Sequence, residues 1–254
     1  MCACGGSTGR ITAVLIAAAL LAACANAQAT GGHPAHHSSP IVATSVRNAP
    51  AHANEPLAAA PLFDPNIDLR AGAVEVPLEL RLPSLHLTAP VLGVGLNPKN
   101  VMDTPMGAAT DPVWHKVFWY RGGGTPGEAT TATIAGHVDD VLGRPAIFAR
   151  LKDLRPGDTV VVHDTRTGLD VDFLVTHSIT YTLKQTVDPA VLKEIYGPGP
   201  VAGQGPEPSP DGVAHLTLIT CAGNWVGSAG TFDHRLAVYA VALPSVPTPG
   251  RSRS

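Results

Sequence analysis

The chain has 254 residues, of which 44% are hydrophobic, 15% charged and only 5% aromatic. Its 26 glycines and 24 prolines make up about a fifth of the sequence, well above the roughly 12% of an average protein, which excludes a long-helix or coiled-coil architecture and favours strands joined by turns. A formal net charge of −3 leaves no basic field to attract nucleic acid by counterion release, so DNA and RNA are excluded as partners.

From Ile11 to Ala23 the sequence ITAVLIAAALLAA is a continuous apolar run preceded by Arg10. This is the layout of a signal peptide. The run is shorter than the roughly 18–20 apolar residues that cross a bilayer comfortably, so a permanent transmembrane helix is the second reading. Leu21-Ala22-Ala23-Cys24 resembles a bacterial lipobox, in which Cys24 is lipidated and becomes the new N-terminus, and Ala25-Asn26-Ala27 offers a competing cleavage site. All three readings for residues 1–27 place the rest of the chain outside the cytoplasm, and a signal anchor or a lipidated Cys24 would hold it at the extracellular face of the membrane.

Residues 28–72, rich in Ala, Pro, His, Ser and Asn and without a sustained period, read as a disordered spacer. His33, His36, His37 and His52 fall there, with no Cys or carboxylate at useful spacing for a metal, so a solvated tail is expected. The C-terminal residues 244–254 read as a second disordered tail. Between them, residues 73–243 are long enough for one sizeable core.

Within that domain, Val74 to Leu87 alternates at Val76, Leu78, Leu80 and Leu82 and predicts a half-buried strand. A strand is expected at Thr131–Ala135, running into Gly136-His137. Ile147, Leu151 and Leu154 have helical spacing, and Arg155-Pro156-Gly157-Asp158 turns the chain into a strand at Thr159–Val162. A pair of strands follows at Leu169–Thr176 and Ser178–Leu183, then a short helix near Ala190–Tyr196, and finally strands at Leu216–Cys221 and Leu236–Leu243. Many short strands, few helices and no strand–helix alternation predict a mainly all-β antiparallel barrel or sandwich.

The cysteines are unevenly placed: Cys2, Cys4 and Cys24 precede the spacer, and Cys221 stands alone. No internal disulfide framework is expected. Cys221 ends the apolar strand LTLIT, and its thiol is either a small buried hydrophobe or a nucleophile fixed on a rigid scaffold. A nucleophile needs a nearby base or positive charge, because the thiolate is the reactive form. His137 and Arg235, each next to a predicted strand, are the candidates.

Thr217-Leu218-Ile219-Thr220-Cys221 matches the TLxTC signature of sortases, and Arg235 follows fourteen residues later. Ile134-Ala135-Gly136-His137-Val138-Asp139 resembles the segment around the sortase catalytic His. Gly143 to Leu151 and Leu154 to Asp158 resemble the F-x-x-L…L-x-x-G-D sequence that follows it. With Trp119-Tyr120-Arg121 and Pro126-Gly127 upstream, the pattern is most similar to the actinobacterial class F group. The resemblance covers roughly residues 74–243 and keeps the family's order of His, Cys and Arg.

This resemblance implies an eight-stranded β-barrel with one or two short helices, whose cleft binds an LPxTG-like sorting signal. It implies that Cys221 attacks the Thr–Gly carbonyl to form a thioacyl intermediate, which an amine of a cell-wall precursor or pilin, or water, resolves. His137 would act as general acid and base, and Arg235 would hold the substrate carbonyl or oxyanion. Thr220 would either add a hydroxyl to that site or serve only as a strand former. The lipobox is a departure, since sortases commonly keep an uncleaved signal anchor. No pair of acidic segments suggests a calcium site, so no metal or other cofactor is expected.

Other chemistries fit less well. Asp139 and Asp140, adjacent in an extended segment, would point to opposite faces and would not join His137 around a metal. Gly122-Gly123-Gly124 lacks the Gly-Lys-Ser/Thr of a phosphate loop. Asp188 and Glu194 lack a second carboxylate at glycosidase spacing. A cysteine L,D-transpeptidase would show a Ser-x-Gly-Cys context, which is absent. The non-enzyme alternative is an exported lipoprotein whose His-rich spacer holds metal.

Overall fold

The alternating run at the start of the domain forms β1 (Val74–Leu82) in the computed structural model, which describes Leu62, residues 68–200 and residues 203–243. The apolar anchor, Cys24, the spacer histidines with the metal-binding alternative that rests on them, and the C-terminal tail lie outside the described residues. Val76, Leu78, Leu80 and Leu82 all turn inward and are buried, as a period of two requires. At Pro83–Leu85 the chain makes a 3-10 turn, with His86 in the left-handed region at φ 52°. It returns as β2 (Leu87–Val94), antiparallel to β1. The predicted strand to Leu87 is therefore a hairpin: Pro83, which cannot donate to a ladder, breaks the run.

The remaining elements are β3 (Val117–Tyr120), β4 (Thr131–Ala135), β5 (Thr159–Asp164), β6 (Leu169–Thr182), α1 (Pro189–Tyr196), β7 (His215–Val226) and β8 (Thr231–Ala242). They close into an eight-stranded barrel in the order β1-β2-β3-β4-β7-β8-β6-β5. The pairs β2–β3 and β4–β7 are parallel, and the rest are antiparallel. Full closure leaves no exposed sheet edge.

Three buried clusters form among the described residues. The barrel interior holds Leu80, Leu82, Val91, Trp119, Ile134, Phe173, Leu216 and Leu218 among others. A second cluster joins Leu92, Val94, Phe118, Tyr120 and Ala135 to Met102, Val113 and Trp114 of the β2–β3 connection. The third joins Tyr181, Ala237 and Tyr239 to Ile195 of α1. Both faces of β3 and β4 are thereby covered, and every residue of each is buried. A strand buried on both faces shows no alternation, which is why β3 escapes a periodicity reading.

Two further expectations change. The helical spacing of Ile147, Leu151 and Leu154 yields only a 3-10 turn at Leu151–Asp153; Leu151 and Leu154 are still buried, but the segment is pinned to neighbouring chain by Phe148 N–H to His137 O at 2.9 Å and Ile147 N–H to Trp114 O at 3.0 Å. The expected strand pair across Thr176–Ser178 is one strand, β6, with a register shift between Val175 and His177. Helix α1 lies where expected. Its N-cap Asp188 accepts from Ala190 N–H at 2.8 Å, Pro189 takes the first turn, and Gly197 at φ 79° ends it.

Candidate active site

The parallel register of β4 on β7 pairs Thr131 with His215 through Ala135 with Ile219. The ladder continues past β4, where Gly136 N–H donates to Ile219 O at 3.1 Å. Counted two residues on from the Ala135–Ile219 pair along both chains, His137 comes level with Cys221. On the other side of β7, the antiparallel register pairs Cys221 directly with Arg235 of β8. Neighbouring strands run about 4.8 Å apart, so Cys221 is flanked by His137 on one side and Arg235 on the other.

The strand ends differ from expectation. The β7–β8 hairpin runs on to Val226 and Thr231, so Cys221 and Arg235 lie within their strands. Beyond them the register shifts between Ala222 and Trp225. Gly223, at φ 81°, allows that irregularity, and it removes the apolar alternation that would have marked the extension.

His137, Cys221 and Arg235 all line one groove of about 730 Å³. Its walls come from Met102, Thr104 and Met106 of the β2–β3 connection, Tyr196 of α1, and Trp225 and Phe232 of the β7–β8 hairpin. Trp225 is 61% exposed and meets Phe232 edge-on at 5.4 Å. None of these wall residues had a sequence signature, because they come from three separate connections that only the fold brings together.

The His137 ring is half-buried. It lies 4.8 Å from the ring of Trp114 and 5.3 Å from that of Phe118, and its Nε2 meets Pro105 O at 2.8 Å. Burial pushes its pKa down, while the Pro105 carbonyl and the charge of Asp139 oppose the shift. Gly136 precedes it for a packing reason: a Cβ there would lie 2.5 Å from the ring of Phe148, which is itself 1% exposed.

Cys221 is a half-buried free thiol. Burial pushes its pKa up; Arg235 pulls it down and Asp139 adds to the rise. The Arg235 guanidinium is held by Phe232 O at 3.0 Å, His234 O at 2.8 Å and Thr231 Oγ1 at 2.9 Å. Its position is thus fixed by its own hairpin.

Thr220 is buried, and its hydroxyl donates to Gly136 O at 2.8 Å. That proton is committed to joining β7 to the chain just before His137. Asp140 accepts from Arg144 Nε at 2.6 Å and from the backbone N–H of Leu142 and Arg144, closing the turn after His137. Asp139 and Asp140 both line the groove. Among the described residues no group of three or more His, Cys, Asp or Glu side chains is arranged to hold a metal ion, and no helix is long and apolar enough to cross a membrane.

A family model described as the sortase domain matches residues 80–243, well over half of the chain. The protein belongs to the sortase family. It is a cysteine transpeptidase, and as a sortase it acts on sorting-signal substrates and amine nucleophiles. Among solved structures, a lid mutant of sortase A from Corynebacterium diphtheriae is 18% identical, covering 70% of this chain and 75% of that one at a TM-score of 0.45. Sortase C-1 from Actinomyces oris is 21% identical over 66% and 73% of the two chains, TM-score 0.42. Sortase C1 of Streptococcus agalactiae is 19% identical over 67% and 69%, TM-score 0.43. No match was found among curated proteins.

Proposed function

We propose that this sortase is a class F-type enzyme that cleaves an LPxTG-like signal between Thr and Gly, with Cys221 as nucleophile, His137 as general acid and base, and Arg235 as oxyanion partner. The observation that carries the reading is the strand register that sets His137 and Arg235 on either side of Cys221 in one groove.

The Cys221 thiolate adds to the Thr carbonyl, and the negative charge that develops on the oxygen is met by the fixed guanidinium of Arg235. Collapse breaks the C–N bond, protonated imidazole of His137 gives its proton to the departing glycine amine, and a thioester remains on Cys221. An incoming amine then loses a proton to His137 as it attacks the thioester, which returns the thiolate–imidazolium pair. Because burial raises the thiol and lowers the imidazole, the neutral pair predominates, and the reactive ion pair is the minority form. Thr220, bound to Gly136 O, keeps the β4 end and β7 in register. The groove opens at the extracellular face of the membrane, where the apolar segment 11–23 or a lipidated Cys24 anchors the chain.

The test is incubation of the full chain with an LPxTG-type peptide and an amine such as triglycine. Mass spectrometry should find the acyl group on Cys221 and a transpeptidation product, and Cys221→Ala should abolish both. A wild-type chain that forms no acyl adduct at Cys221 would end this reading.

A further inference from the structure

We infer that the backbone carbonyl of Pro105, in the β2–β3 connection, is the positioning group for His137: it holds the ring as the Nε2–H tautomer and leaves Nδ1 as the nitrogen that exchanges protons in the groove. The inference rests on the proposed acid–base role of His137.

The contact itself dictates the tautomer. A carbonyl oxygen only accepts, so the 2.8 Å contact between Nε2 and Pro105 O requires a hydrogen on Nε2, whether the ring is neutral or protonated. The other ring nitrogen must then take up and release the catalytic proton. Trp114 and Phe118 pack the ring from two sides, so it cannot flip without disturbing a buried cluster.

The carbonyl is held firmly for this task. On one side of it, Asp103 N–H donates to Gly95 O at 2.9 Å, and Met102 pairs with Leu96 and is buried. On the other side, Ala108 O accepts from Trp114 Nε1 at 2.7 Å and from Asp111 N–H at 2.8 Å. Arg144, from the turn after His137, reaches Ala109 O at 2.6 Å and ties the connection to the His137 segment. Pro105 adds a fixed φ between these anchors. The ring whose tautomer is fixed and the loop that supplies the acceptor are therefore parts of one packed unit.

A neutral acceptor suits a buried acid–base group. A carboxylate at this position would favour the imidazolium strongly and make it a poor proton donor, whereas a carbonyl orients the ring and only partly offsets its desolvation. The ionisable groups that line the groove with His137 are Asp139 and Asp140 on its own turn, Tyr196 of α1, Cys221 on β7 and Arg235 on β8, and among the described residues only Pro105 O lies in hydrogen-bond contact with the ring.

The test is nitrogen-resolved NMR of the ring in the full-length chain without substrate, with the His137 signals identified by their absence from His137→Gln. A neutral ring protonated at Nε2 is expected; protonation at Nδ1, or an exchanging mixture, overturns the inference. A second measurement weakens the acceptor alone. Replacing Met106 by its α-hydroxy analogue turns the Pro105 carbonyl into an ester, a poorer acceptor, and Met106 N–H makes no hydrogen bond among the described residues that would be lost. The His137 pKa should fall, and turnover of an LPxTG-type peptide should drop several-fold in kcat at unchanged KM. An ester protein with the wild-type His137 pKa and kcat overturns the inference. The tautomer is read without substrate, so an Nε2-protonated ring in a chain that cleaves no peptide would leave this inference standing and remove only the proposed function.

Discussion

Arg235 and Asp139 bring opposite charges to one thiol. Arg235 lowers the Cys221 pKa and Asp139 raises it. Removing the guanidinium should therefore push the thiol further up, and with it would go the proposed oxyanion contact. Arg235→Ala is expected to reduce kcat by about 10²–10³-fold, the range for loss of one oxyanion donor. Arg235→Lys should recover little, because a point charge cannot reproduce the bonds to Phe232 O, His234 O and Thr231 Oγ1 at once. Circular dichroism should show both variants folded. Asp139→Asn acts in the opposite sense. Its charge raises the pKa of both His137 and Cys221, so its loss should move both limbs of the pH profile of kcat/KM to lower pH. In the wild type the acid limb should lie below the ordinary imidazole value of 6.5 and the alkaline limb above the ordinary thiol value of 9.0. A profile unmoved by Asp139→Asn would contradict the coupling.

The elements that meet at the site are coupled by short backbone contacts. Gly136 sits between the last residue of β4 and His137, donates to Ile219 O, and accepts from Thr220 Oγ1. It has no room for a side chain, since a Cβ would press on the ring of the fully buried Phe148 at 2.5 Å. Gly136→Ala is therefore expected to displace the β4 end together with His137. Overpacking of this kind costs about 1–3 kcal/mol. Peptide turnover should fall more steeply than stability, measured by urea unfolding of the same preparation. Equal activity in the variant would show that the chain before His137 is freely adjustable. The glycine was visible in the motif around His137, but its reason was not: Phe148 is twelve residues away, and only the turn over 138–146 brings it back under Gly136.

In the barrel as a whole, the side chains behind the site belong to the same core that closes the sheet. Leu218 is wholly buried, three residues before Cys221, and packs in the barrel interior. Leu218→Ala should destabilise by about 2–5 kcal/mol through lost transfer energy and a residual cavity, seen as a lower urea midpoint at unchanged slope. Local pattern alone made much of this barrel legible. Alternation marked β1, a strand running into Gly136-His137 marked β4, the Arg155–Asp158 turn led into β5, and a helix ended by Gly and Pro was placed almost to the residue. Local pattern could not reveal β3, buried on both faces, or the hairpin concealed between β1 and β2. Nor could it show that the apparent helix at 147–154 would be held by hydrogen bonds to His137 and Trp114. The mainly β fold class and three candidate residues, His137, Cys221 and Arg235, were legible in the sequence by itself, because periodicity, side-chain chemistry and the motifs that resemble a sortase are written along the chain. Only the tertiary structure decided that the two parallel and antiparallel registers on β7 set His137 and Arg235 beside Cys221, and that Pro105 O meets the imidazole, because strand register and loop closure depend on contacts between residues far apart in sequence.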